Sequence, residues 1–230
     1  MIDCLRRAGT PSLPPSGAVW LRPALLSLAL VSAGCSTIYY SVWESLGKEK
    51  RDLLRDNVEA VREDQTEVSE QFASTLERIK ELYGLDGGDL EKIYDQLSGE
   101  YDDSQAKAEA LRDRIDTVED IAGDLFAEWE AELDQISDAN LRSRSRQQLR
   151  ATQSRYRELE SALHASEERL EPVLVKMNDQ VLFLKHNLNA QAIGSLDLEA
   201  SDIEAEVADL IADLRVSIQR ADEFIEGLPE

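Results

Sequence analysis

The chain has 230 residues, with 47 acidic against 25 basic side chains, a net charge of −22, and only two cysteines and two histidines. A surface this negative repels nucleic acid and anionic lipid as partners of the protein as a whole. Gly and Pro are scarce after residue 35, where Ala, Leu, Glu, Asp, Arg and Gln dominate; this is helix-forming composition with little β-branched clustering.

Residues 25–35 read LLSLALVSAGC. The apolar core from Ala24 to Val31 is eight residues long, too short to cross a bilayer, which takes ~20. Arg6, Arg7 and Arg22 supply positive charge ahead of it. Ser32, Ala33 and Gly34 before Cys35 resemble the cleavage site of a bacterial lipoprotein signal peptide, with Ser32 where leucine is commoner. The resemblance implies that residues 1–34 are a signal, that Cys35 is lipidated, and that residues 35–43 are a lipid-anchored linker. Ser36 replaces the aspartate that retains many such proteins at the inner membrane, which implies an outer-membrane anchor facing the periplasm. Several acyl chains on one cysteine anchor firmly, where a single chain binds marginally.

Loss of Arg6, Arg7, Arg22 and Asp3 with the signal takes the net charge from −22 to −24. Cys4 leaves with the signal and lipid consumes Cys35, so no disulfide, thiolate nucleophile or cysteine metal site is expected.

Residues 44–230 read as one all-α domain, an elongated antiparallel helical bundle or coiled coil of four long helices. The first helix, near 44–83, carries Val58, Val61, Gln65, Val68, Phe72, Thr75, Ile79 and Leu82 at alternating steps of three and four, the seam of a heptad repeat. Gly84 and the Asp86-Gly87-Gly88-Asp89 turn end it. The second helix continues the spacing from Leu90 through Leu97, Ser104, Leu111, Ile115, Val118, Leu125 and Trp129 to Ile136. Its expected length is about 48 residues, or roughly 72 Å at ~1.5 Å per residue. Ser137-Asp138-Ala139-Asn140 offers caps for a third helix running through Leu149, Tyr156, Leu163, Ser166, Leu170 and Met177 toward Leu188. Pro172 interrupts its hydrogen-bond ladder and predicts a kink. The fourth helix, near 199–227, uses Ile203, Val207, Leu210, Leu214, Ile218, Ala221 and Ile225.

Short turns make neighbouring helices antiparallel. The 137–140 turn then falls beside the start of the first helix, and the 84–89 and 192–198 turns fall together at the far end. The fourth helix is much shorter than the third, so four helices are expected at the far end and three at the end nearest Cys35. Val173-Leu174-Val175 and Val181-Leu182-Phe183-Leu184 are apolar on more than one face, as suits a helix with extra neighbours. Trp43 and Trp129 are expected to pack together as a core pair.

No catalytic constellation is visible, and the chain reads as not an enzyme and without a cofactor. His164 and His186 have no carboxylate at a ligand spacing, the Asp86–Asp103 carboxylates lack the pattern of a calcium loop, and no Glu-x-x-His pair can build a di-iron site. No metal is expected. Two places remain. Lys185, His186, Asn187 and Asn189 form a polar group at the far tip, either a contact surface or the amides that end the third helix. Arg142, Arg146 and Arg150 recur every four residues in a stretch with no acidic side chain from Leu141 to Arg157. That basic patch either meets lipid phosphates or, more plainly, is matched by Glu128, Glu130, Glu132 and Asp134 of the second helix.

The segments YYSVWE at 39–44, GGDLE at 87–91, FAEWEAE at 126–132 and DQVLFLKHNLNAQAIGSL at 179–196 resemble an uncharacterised family of bacterial lipoproteins, domain of unknown function 2959. The resemblance carries no activity, and implies fold and location only. The expected role is a structural or adaptor component of the cell envelope, with an envelope protein as partner and self-association as a further route. The alternative is a module that binds a small envelope ligand or metal within the four-helix end.

Overall fold

The computed structural model describes residues 50–83, 90–186 and 197–228. Cys35, Trp43, the 84–89 turn, Asn187 and Asn189 lie outside the described residues.

Four helices and no strand occur among the described residues: α1, Lys50–Tyr83; α2, Leu90–Leu133; α3, Ala139–His186; and α4, Asp197–Gly227. All belong to one compact unit, Glu49–Glu230. α1 packs on α2 and α4, and α3 packs on the same two helices, so the chain closes a ring in which every helix runs against its neighbours.

The heptad seams are the reason. Val58, Val61, Val68, Phe72 and Ile79 of α1 are buried, as are Leu97, Leu111, Ile115 and Val118 of α2 and Leu149, Leu159, Leu163, Leu170 and Met177 of α3. Burial of these side chains supplies most of the stability, at about 1.5–3 kcal/mol each. α2 is 44 residues long, four short of expectation; past Leu133 the chain enters a turn, with the Gln135 amide donating to the Glu132 carbonyl.

α3 begins at a side-chain cap. Asp138 Oδ1 accepts from the backbone amides of Asn140 and Leu141 at 2.8 and 2.9 Å, which satisfies two of the donors that a helix N-terminus leaves unpaired. The Arg142 guanidinium donates back to the Ile136 carbonyl. From there α3 runs as one helix of 48 residues through Pro172. Pro172 is exposed, so its ring sits on the solvent side, while Leu170 and Val173 on either side of it stay in the buried seam.

The buried seam of α4 is Ile203, Val207, Leu210, Leu214, Ser217, Ala221, Phe224 and Leu228. This corrects the expected use of Ile218 and Ile225, both only half-buried. Strict alternation of four and three places Ser217 and Phe224 inward, and Ser217 is drawn there by a polar partner described below.

The two ends of the unit differ, as expected. Lys50 pairs with Glu128 at 2.9 Å and Trp129 Nε1 donates to Ser145 Oγ at 2.9 Å, which brings the starts of α1 and α3 to the end of α2. The Arg51 guanidinium lies over the Trp129 ring, 5.7 Å from its centre. α4 stops short of this level: Gly227 lies against Arg155, and Phe224 meets Tyr156 edge-on at 5.8 Å. Residues 139–154 of α3 therefore extend past α4, and four helices pack only beyond that point.

Candidate functional site

Ion pairs join each helix to its neighbours around the ring. Lys107–Glu67 and Arg114–Asp64 link α2 to α1, and Arg62–Asp222 and Lys80–Glu204 link α1 to α4. Arg112–Glu171 and the Glu119–His164 contact link α2 to α3, and Lys176–Glu206 and Arg169–Asp213 link α3 to α4. Lys107 holds the Glu67 carboxyl below its ordinary pKa, and Glu204 holds the Lys80 ammonium above its own. Exposed pairs of this kind add little stability one by one. They engage many of the cations that the acidic chain possesses.

The basic patch is the exception, and here the expected charge matching fails. Glu128 is taken by Lys50 and Glu130 by Gln153. Arg142 is occupied in closing the α2–α3 turn through the Ile136 carbonyl. Among the described residues Arg146, Arg150 and Arg157 are exposed and form no ion pair. Arg155 differs again: its guanidinium lies flat on the last turn of α4, in the space that a Cβ on residue 227 would need. Glycine at 227 is what lets this cation sit at a helix C-terminus, where the backbone dipole favours positive charge.

At the other end of α3, Lys185 and His186 are exposed on its last turn. Of the four residues expected at the tip, these two are placed. The extra apolar faces of α3 are not all explained by α4. Leu174 and Val181 are buried and Phe183 is half-buried, but Val175 and Leu182 remain 49% and 42% exposed. These two stand seven residues apart on the outer face of α3, opposite the core seam.

The sequence pattern puts Gln65, Thr75, Ser104 and Ser166 on the seams but does not reveal what they meet. Gln65 Nε2 of α1 donates to Ser217 Oγ of α4 at 2.7 Å and lies 3.4 Å from Ser166 Oγ of α3. All three side chains are fully buried, and Gln65 Oε1 has no donor among the described residues. A second polar contact, Thr75 Oγ1 with Ser104 Oγ at 2.9 Å, joins α1 to α2.

Tyr156, placed on the seam by the sequence and buried there, is the other group whose surroundings the pattern does not reveal. Phe126 and Phe224 pack edge-on against its ring at 5.5 and 5.8 Å. Its hydroxyl has no hydrogen-bond partner among the described residues, and burial, reinforced by the charges of Glu160 and Glu119, pushes the phenol well above its ordinary pKa. Burial likewise raises Glu119, against the pull of His164 2.8 Å away. No group of three or more metal-ligating side chains occurs among the described residues, and none of their helices is long and apolar enough to cross a membrane.

No curated protein and no solved structure matches the chain. A four-helix ring with heptad seams, running from α1 to Leu228, is the part that a family model recognises: the model described as protein of unknown function (DUF2959) matches residues 39–228, and the chain belongs to that family.

Proposed function

We propose that this protein is a lipid-anchored component of the cell envelope, held at the outer membrane through Cys35 and facing the periplasm, and that it works as a structural or adaptor protein. It does so by offering the outer face of α3 to a protein partner. The observation that carries this reading is the exposure of Val175 and Leu182 beside Lys185 and His186. Two apolar side chains left open at one heptad spacing, on a helix already packed on two others, suit a further helix–helix contact.

Two experiments test it. Palmitate labelling of the wild-type chain, lost in Cys35→Ser, supports the anchor; equal labelling of both removes it. A photo-crosslinking side chain at Leu182 in intact cells should capture a protein, and the same group at the buried Leu163 should not. Failure to capture any protein from Leu182 overturns the adaptor reading.

The second reading, a small ligand within the four-helix end, rests on Gln65 Oε1, an acceptor with no donor in a closed core. Native mass spectrometry of the purified chain would show a bound species lost in Gln65→Leu; a bare chain mass rules it out.

A further inference from the structure

The outer face of α3 is divided by charge along its length. The core seam of α3 steps by three and four through Leu149, Thr152, Tyr156, Leu159, Leu163 and Ser166 to Leu170. On the opposite side a second series steps the same way: Ser154, Arg157, Ser161, His164, Glu168 and Glu171, every one exposed. With Arg150 before it and Val175 after it, the series is basic in its first half and acidic, then apolar, in its second. Arg150, Arg157 and Glu168 form no ion pair among the described residues. Unspent charges of both signs thus share one ridge, in a bundle that pairs many of its other cations.

We infer that the partner of this face is a second copy of the chain, with the two α3 helices packed antiparallel about a two-fold axis level with Ala162 and Leu163. This rests on the reading of the α3 face as an interaction surface and names what covers it. In that register Arg157 of each copy stands opposite Glu168 of the other, Ser154 opposite Glu171, and the aliphatic stem of Arg150 opposite Val175. Each contact occurs twice, as a two-fold interface requires, and equal steps of three and four on both sides keep the two ridges facing each other along their length. A membrane phosphate surface satisfies only the basic half and repels Glu168 and Glu171; a second copy satisfies both halves. The repulsion between two chains of net charge −22 is screened beyond ~8 Å at physiological ionic strength, whereas the close pairs are not.

The test uses the full chain in a nonionic detergent at physiological ionic strength, with mass measured by light scattering and fold by circular dichroism. The wild type should be a dimer at micromolar concentration. Arg157→Glu and Glu168→Arg should each weaken dimerisation by roughly ten- to a hundredfold, because each creates two like-charge contacts, and the double variant Arg157→Glu/Glu168→Arg should restore it. A wild type that stays monomeric, single variants that dimerise normally, or a double variant that does not recover each overturns the proposal. So does Arg157→Glu abolishing binding to phosphatidylglycerol vesicles by a chain that remains monomeric. Capture of an unrelated protein from Leu182, with a monomeric wild type, sinks the dimer but keeps the adaptor reading; capture of nothing sinks both.

Discussion

Gln65 and Ser217 meet across the middle of the bundle, 152 positions apart in sequence, with the amide nitrogen 2.7 Å from the hydroxyl oxygen. The contact joins the first helix to the last inside a mostly apolar core. Gln65→Ala removes the donor, strands Ser217 and opens a void, and is expected to destabilise the fold by roughly 2–4 kcal/mol. Gln65→Leu with Ser217→Ala fills the space without polar atoms and should lie close to the wild type. Urea denaturation ranks the three; a double variant less stable than Gln65→Ala contradicts this account of the layer.

Tyr156 carries a buried hydroxyl with no hydrogen-bond partner among the described residues. Tyr156→Phe should be neutral or stabilising by up to ~1 kcal/mol, since an unpaired polar group leaves the interior and the contacts with Phe126 and Phe224 remain. The pH dependence has a definite sign. The folded phenol is raised and the unfolded one titrates near about 10, so the unfolded state gives up its proton first and stability is lost as pH climbs past that value. Tyr156→Phe removes this contribution. Thermal melts between about pH 9 and 11 should show a smaller loss in the variant; equal losses would refute the burial argument.

Pro172 costs α3 a backbone hydrogen bond to the Glu168 carbonyl in the interior of a long helix, at an exposed position. Pro172→Ala restores the donor and a better helix former, and should raise stability by roughly 1–3 kcal/mol. A melting temperature that falls instead would mean that the proline ring makes a contact worth more than the bond it removes.

The three-helix end is expected to open before the rest. Backbone amides of residues 139–154 lack the cover that α4 gives to the rest of α3, and Leu141 is 58% exposed. Hydrogen exchange should therefore be faster there than in residues 159–177, where α4 closes the ring. Arg142→Ala, which frees the Ile136 carbonyl, should hasten it further; uniform protection along α3 would disprove the difference.

Helix number, register and the early end of α4 are legible because a heptad seam depends only on local spacing, and all four helices follow it. The pattern misleads where polarity hides a core position. Ile218 outranks Ser217 on hydropathy, yet the alternation of four and three makes Ser217 the buried one, and only its partner Gln65 is hidden from the local pattern. Glu128 illustrates the same limit among the candidate sites. Proximity to the arginines suggests a match, but Lys50, distant in sequence, reaches it first.

The two polar contacts of α1 also govern how force travels along the bundle. Gln65 ties α1 to α4, and Thr75, further along the same helix, ties it to α2 through Ser104. Sliding either neighbour by one turn would pull these groups from their partners and leave them facing apolar side chains. Piston-like sliding of α1 against α4 or α2 is therefore opposed by about 1–3 kcal/mol for each buried group left unpaired.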